Sequence, residues 1–223
     1  MIFDARHSAD SLALAADDET WVHVDAPARL HLGFLDPNAS IGRRFASLGL
    51  VIDAFPSALE IAFARETLVW SDDPGQHDAV SRLARHVDTL QRETGRHQPL
   101  RVRLRSAPPA HSGFGSGTQL ALALGRAFCR LHGLDLPTRR LAAMLGRGER
   151  AGVGIAGFDQ GGLLLDAGPG PGGTPAPVLA RLDFPAAWRV LLVLDARIDG
   201  LSGAAARAAM AQLAPFPREL AAD

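Results

Sequence analysis

The chain has 223 residues, 47% of them apolar, and a formal net charge of −1. That length supports one large domain or two small ones with a core that needs no covalent staples. The near-zero charge offers no general field for nucleic acid, no apolar run approaches the ~20 residues of a membrane span, and a single cysteine, Cys129, forms no internal disulfide. The cysteine usage and an opening without signal character point to a reducing, cytoplasmic setting.

Residues 1–20 are polar and alanine-rich without a period and read as an N-terminal arm. From Trp21 the pattern is extended, through Val22, Val24, Leu30, Leu32 and Phe34, with an interruption at Pro27. Residues 47–53 and 58–63 read as two strands separated by a turn at Pro56, and 67–70 as a short further strand. Residues 78–94 switch to a helical period, with Val80, Leu83, Ala84, Val87 and Leu90 on one face. In 100–105, Leu100, Val102 and Leu104 alternate with Arg101, Arg103 and Arg105. A half-buried strand with one wet face explains that row without a nucleic-acid partner. Beyond a loop at 106–117, Leu120, Leu124, Ala127, Phe128 and Leu131 mark one face of a helix, and Leu141, Met144 and Leu145 a second helix after Pro137. Residues 151–173 are glycine-rich around one apolar run at 163–165, with the glycines of 151–158 suited to a tight loop and 169–177 to a flexible one. Residues 190–194 read as a short buried strand and 204–213 as a last helix, stopped by Pro215 and Pro217. Strands followed by a mixture of strands and helices, without regular alternation, indicate an α+β fold.

The most informative segment is Pro108-Pro109-Ala110-His111-Ser112-Gly113-Phe114-Gly115-Ser116-Gly117-Thr118-Gln119, between a strand and a helix. Gly113, Gly115 and Gly117 let the backbone turn tightly and approach a ligand. Ser112, Ser116 and Thr118 add hydroxyls, and the first amides of the following helix, aided by its dipole, form an anion site. A plain glycine connection capped by Ser116 or Thr118 is the alternative. All 23 basic residues are arginine, so this is not a lysine-bearing P-loop, and any cationic contact to phosphate comes from guanidinium groups.

The loop resembles the second motif of the GHMP kinases, in which proline is followed by Gly-Leu-Gly-Ser-Ser-Ala. The ending Gly115-Ser116-Gly117-Thr118-Gln119-Leu120 is similar to that of the β-ribofuranosylaminobenzene 5′-phosphate synthases, ATP-independent members of that superfamily. Ala26-Pro27-Ala28-Arg29-Leu30-His31-Leu32-Gly33-Phe34-Leu35-Asp36 resembles their opening motif. Residues 145–159, followed by Gly161-Gly162 and Asp166, resemble their central motif. The three occur in the family's order across residues 21–168.

The resemblance implies a GHMP-kinase-type N-terminal domain (ribosomal protein S5 domain 2-like) over 21–168 and the start of an incomplete second α+β domain over 169–223. It implies a reaction joining 5-phosphoribosyl 1-pyrophosphate to 4-aminobenzoate, with loss of carbon dioxide and pyrophosphate, in methanopterin biosynthesis. Arg29, His31, Asp36, Arg150 and Asp159 then fall at the catalytic site. Ser112, Gly113, Gly115, Ser116, Gly117, Thr118, Gln119 and Arg147 fall at the phosphate site. Asp36 is a ligand to an expected Mg²⁺. By residue type alone, Arg29 is also a surface ion pair, His31 a satisfied core histidine, Asp36-Pro37-Asn38 a turn, and Arg147 and Arg150 helix-end cations. Asp159 corresponds to an acidic residue near the kinases' phosphoryl acceptor, and metal, ribose and amine roles all stay open for it. The expected partners are a sugar phosphate and an aryl acid, with neither nucleic acid nor membrane, and a homodimer is left open. An ATP-dependent GHMP small-molecule kinase and a non-catalytic or partner-dependent half-enzyme are the competing readings. The second of these predicts an exposed apolar patch.

Overall fold

The computed structural model describes residues 20–36, 45–109, 112–148, 151–170, 176–194 and 203–214. The expected N-terminal arm therefore lies outside the described residues, apart from Thr20.

Two long strands organise the molecule. β1 (Val22–Leu35) and β2 (Ala46–Phe63) pair antiparallel along their lengths. Pro27 does not interrupt β1. It sits where the register shifts between Ala26 and Ala28, a bulge that absorbs a residue without a ladder donor. The expected turn at Pro56 is likewise absent, and the two expected strands are one. The bend is taken up by Phe55 at φ 53°, just before β2 gains a new neighbour.

On the edge of β2 away from β1, Ser47–Leu50 pairs with β5 (Leu163–Asp166) and Ala58–Phe63 with β4 (Leu100–Ser106), both antiparallel. β3 (Leu68–Ser71) adds parallel to β4. β6 (Val178–Leu182), which carried no clear strand signal, adds antiparallel to β5 and carries the sheet past residue 168.

Helices cover one face of this sheet. α1 (His77–Thr94) follows a short 3₁₀ turn at Pro74–Gln76 and buries Ala79, Leu83, Val87 and Leu90. α2 (Ser116–Leu131) is buried nearly all round, from Leu120 through Leu124 and again at Ala127–Cys129. The one-faced periodicity read from sequence understates this, because α2 lies against both β1–β2 and the other helices. Gly125 lets α3 (Thr138–Met144) approach, since a Cβ there would meet Leu141 Cδ2 at 3.3 Å.

The segment expected as a tight glycine loop is instead a helix, α4 (Val153–Gln160), with all of Val153–Phe158 buried. Its glycines allow close packing rather than a turn. Gly157 would place a Cβ 2.8 Å from Val51 Cγ2. Residues 190–194 do not form the expected buried strand. Leu191 and Val193 are 88% and 86% exposed and, with Trp188, Leu179 and Leu182, leave an apolar surface in water. α5 (Gly203–Ala211) matches the last expected helix.

The arginine row of β4 lies on a wet face with local partners. Arg103 pairs with Asp72 and Glu60, Arg105 approaches Glu60 at 3.5 Å, and Arg101 lies over the Trp21 ring at 5.7 Å.

Candidate phosphate-binding site

The glycine loop is pinned to the free edge of β1. The Arg29 amide donates to Phe114 O at 3.0 Å and the His31 amide to Gly113 O at 2.9 Å. The two sequence segments thus meet through main-chain bonds. Phe114 is buried and packs against Phe55 at 5.1 Å between ring centroids, anchoring the loop from below. Gly115, at φ 65°, is the left-handed residue before α2, a conformation that other side chains strain to adopt. No side chain caps this helix, so the alternative in which Ser116 or Thr118 serves as the cap is not what forms. Thr118 N and Gln119 N donate to Gly115 O at 3.1 and 3.2 Å, whereas Ser116 and Gly117, at the start of the helix, have no carbonyl a turn behind them.

Residues 113–118 and Arg147 line a pocket of about 180 Å³, the size of a phosphate group with its water. A Cβ at Gly117 would lie 3.6 Å from Arg147 Nη1, which places the guanidinium over the loop. Arg147 follows α3 and is tied to it by its own amide, donating to Ala142 O at 2.7 Å. The pocket therefore has backbone donors, hydroxyl-bearing residues and one fork cation, the parts needed to hold a phosphate.

Behind the loop lies Arg29, 8% exposed. It is walled by glycines from β2, α4 and the loop. A Cβ would sit 3.1 Å from its Cδ at Gly49, 2.9 Å from its Nη2 at Gly115, 3.6 Å from its Nε at Gly154 and 3.9 Å from its Cδ at Gly157. Its Nη1 donates to His31 Nδ1 at 3.3 Å, and its Nε is buried without a hydrogen-bond partner. Burial lowers its pKa to about 10, opposed by the attraction of Asp166. Arg29 is thus a held buried cation, not a surface ion pair.

Asp166 supplies the countercharge and is itself fully buried. Its Oδ2 accepts from Gly152 N at 2.6 Å, Val153 N at 2.9 Å and Ser47 Oγ at 2.8 Å. Its Oδ1 accepts from Ser47 N at 3.0 Å and Gly168 N at 2.9 Å. One carboxylate thereby caps α4 and joins it to β2 and β5.

The other expected site residues divide. Ser112 is exposed at the loop entrance. Gln119 is buried, donates from Nε2 to Gly154 O at 3.0 Å and does not line the pocket, so it ties α2 to α4 instead of holding phosphate. Asp36 is buried at the end of β1 at φ 49°, and its carbonyl accepts from Phe45 N. Asp159 is exposed at the end of α4, where Oδ1 accepts from Thr138 Oγ1 at 2.6 Å. Thr138 in turn accepts from Arg126 Nη2 at 2.7 Å. It lines a separate groove of about 800 Å³ with Asp53, Phe184, Trp188 and Arg189, so the structure does not bring it to the phosphate loop. Arg150 lies outside the described residues.

Asp166 appeared in the central motif without a role, and the signal for the Arg29 walls was glycine inside a strand and a helix, which marks close approach. His86, which contacts Arg147, had no local signal at all.

Residues 80–165 match the description of the GHMP kinases N terminal domain. Among solved structures, L. major mevalonate kinase with R-mevalonate aligns with a TM-score of 0.52 at 14% identity, covering 75% of this chain and 54% of that one. Methanococcus jannaschii mevalonate kinase aligns at 0.51 and 13%, covering 68% and 54%. These likenesses concern the fold alone. Fold and loop together define a protein of the GHMP-kinase superfamily. A curated protein of Archaeoglobus fulgidus, beta-ribofuranosylphenol 5′-phosphate synthase, is 36% identical over 189 residues, 78% of this chain and 57% of the relative. A Methanothermobacter thermautotrophicus protein of the same name is 30% identical over 203 residues, 81% and 60%. Within the superfamily the chain belongs to this synthase family, and it spans about three fifths of the length of these curated relatives.

Proposed function

We propose that the chain carries the phosphate-holding part of a β-ribofuranosyl-arene 5′-phosphate synthase, which joins 5-phosphoribosyl 1-pyrophosphate to an aryl acid in methanopterin biosynthesis. The observation that carries this reading is the pocket of residues 113–118 and Arg147, built without a lysine beside buried Arg29. In the reaction the ring carbon bearing the carboxylate gives an electron pair to the sugar's anomeric carbon. The anomeric C–O bond breaks and its pair leaves with pyrophosphate. The ring–carboxylate bond then breaks, carbon dioxide departs and its pair restores the aromatic ring.

The loop amides and Arg147 hold phosphate oxygens in place, and Arg29 supports the loop with fixed positive charge, so that negative charge on the leaving group meets donors that need not reorganise. Among the described residues no cluster of three or more His, Cys, Asp or Glu is arranged to hold a metal. Mg²⁺ is proposed as an ion that phosphate oxygens would mainly carry, with Asp36 as the candidate protein carboxylate. When bound it would neutralise charge on the departing pyrophosphate.

4-Aminobenzoate is the proposed arene, and 4-hydroxybenzoate is its counterpart for a product named as a phenol. The decisive assay incubates the pure chain with phosphoribosyl pyrophosphate, Mg²⁺ and either acid, and follows carbon dioxide. Release with one acid supports the reading. ATP consumption with a hydroxylated metabolite, and no carbon dioxide, would instead indicate a kinase. The exposed side chains of Leu179, Leu182, Trp188, Leu191 and Val193 favour a second reading, in which turnover depends on a further domain that covers them. Pyrophosphate binding without turnover would mark that case.

A further inference from the structure

Among the described residues the phosphate pocket has one cation in its lining, Arg147, and a residue from another helix contacts it. Arg147 Nη2 lies 3.2 Å from His86 Nε2, on α1. Arginine only donates, so Nε2 is the acceptor and the ring proton sits on Nδ1. Such a contact requires a neutral imidazole. Burial, with Arg147, Arg85 and Arg82 facing the ring, lowers the His86 pKa to about 4. His86 lies 61 residues from Arg147 in the chain.

We propose that His86 is a positioning residue that fixes the Arg147 guanidinium over the phosphate loop by accepting its hydrogen bond, thereby setting the affinity of the pocket for pyrophosphate. The proposal rests on the loop being a phosphate site. A long arginine chain has much rotamer freedom to lose when it binds an anion. An acceptor on a packed helix removes part of that freedom beforehand, so the guanidinium meets the anion already oriented. A carboxylate in the same place would also hold Arg147, but would cancel the charge that the anion needs. A neutral histidine orients without neutralising.

The test has two arms, both on the full chain. Without any ligand, the His86 imidazole is titrated by NMR in the parent and in Arg147→Leu. Loss of the facing cation should move its midpoint up toward 6.5, and an unchanged midpoint overturns the contact. Calorimetry with inorganic pyrophosphate near pH 7.5 then compares the parent, His86→Leu, His86→Gln, Arg147→Leu and the double variant His86→Leu/Arg147→Leu. His86→Leu should weaken binding about tenfold, the worth of one charge-assisted hydrogen bond. His86→Gln, which places an acceptor at similar reach, should stay within about twofold of the parent. In the Arg147→Leu background, His86→Leu should change nothing further, because its effect runs through Arg147. Equal losses in both backgrounds, or no recovery with glutamine, overturn the positioning role while leaving the phosphate site intact. A parent that binds no pyrophosphate overturns the site and, with it, the role.

Discussion

Asp166→Asn isolates the residue that ties the site to the fold. In the parent, two oxygens accept from Gly152 N, Val153 N, Ser47 N, Gly168 N and Ser47 Oγ. The substitution turns one oxygen into an amide nitrogen. Whichever oxygen is lost, at least two buried backbone N–H groups face a donor instead of an acceptor. Each orphaned donor costs about 1–3 kcal/mol, so the loss should be about 4 kcal/mol, a large part of the stability of an ordinary domain. The change also removes the countercharge that offsets the burial of Arg29. Urea unfolding followed by fluorescence should show a lower midpoint with an unchanged slope, and pyrophosphate affinity should fall with it. Asp53→Asn, at an exposed carboxylate, serves as the control and should stay within about 0.5 kcal/mol of the parent. A loss below about 1 kcal/mol for Asp166→Asn would refute the assignment of this carboxylate as the joint of β2, β5 and α4.

Arg29→Met should separate stability from function. A guanidinium pushed from its ordinary value down to about 10 by burial opposes folding by roughly 3 kcal/mol at neutral pH, so the apolar variant should melt no lower than the parent while pyrophosphate binding falls at least tenfold. A clear drop in melting temperature would make Arg29 a structural ion instead. His86 gives an acid window. Its folded value of about 4 lies below the ordinary 6.5, so the unfolded chain binds more protons between them. Stability from this group is complete above about pH 6.5 and fades toward pH 4, by about 2 kcal/mol once partial exposure is discounted. In His86→Gln that part of the pH profile should be flat, and an unchanged slope would assign the acid loss to other groups. Gly115→Ala places a Cβ 2.9 Å from Arg29 Nη2 at φ 65°. Strain of about 1–2 kcal/mol should lower the melting temperature and weaken pyrophosphate binding together, and a variant that binds like the parent would show that the loop can relax away from Arg29.

Period and punctuation carried the local elements. The alternation at Leu100–Ser106 and the helical spacing of His77–Thr94 lie close to the expected bounds. Proline misled twice, at Pro27 and Pro56, because a bulge and a bent strand satisfy the same local restriction as a chain break. Glycine misled at 151–158, where close packing on Val51 and Arg29 needed small residues inside a helix and burial outweighed the low helix propensity. The apolar run at 190–194 read as buried, yet nothing among the described residues covers it. The loop and Arg29 were legible as motifs, since both are short and contiguous. The Gln119–Gly154 tie, the Thr138–Asp159 link and the His86–Arg147 contact join residues that are distant in the chain and are set by helix packing alone.

The main-chain bonds from Arg29 and His31 to the loop make it, in effect, a short additional rung on the sheet edge. A free glycine loop of this length would surrender about 1–2 kcal/mol of backbone entropy per residue on closing around an anion. Here that ordering has already occurred during folding. Anion capture should therefore be fast, limited by encounter and electrostatic attraction rather than by loop closure. Its calorimetric signature should lack the large unfavourable entropy of a disorder-to-order transition.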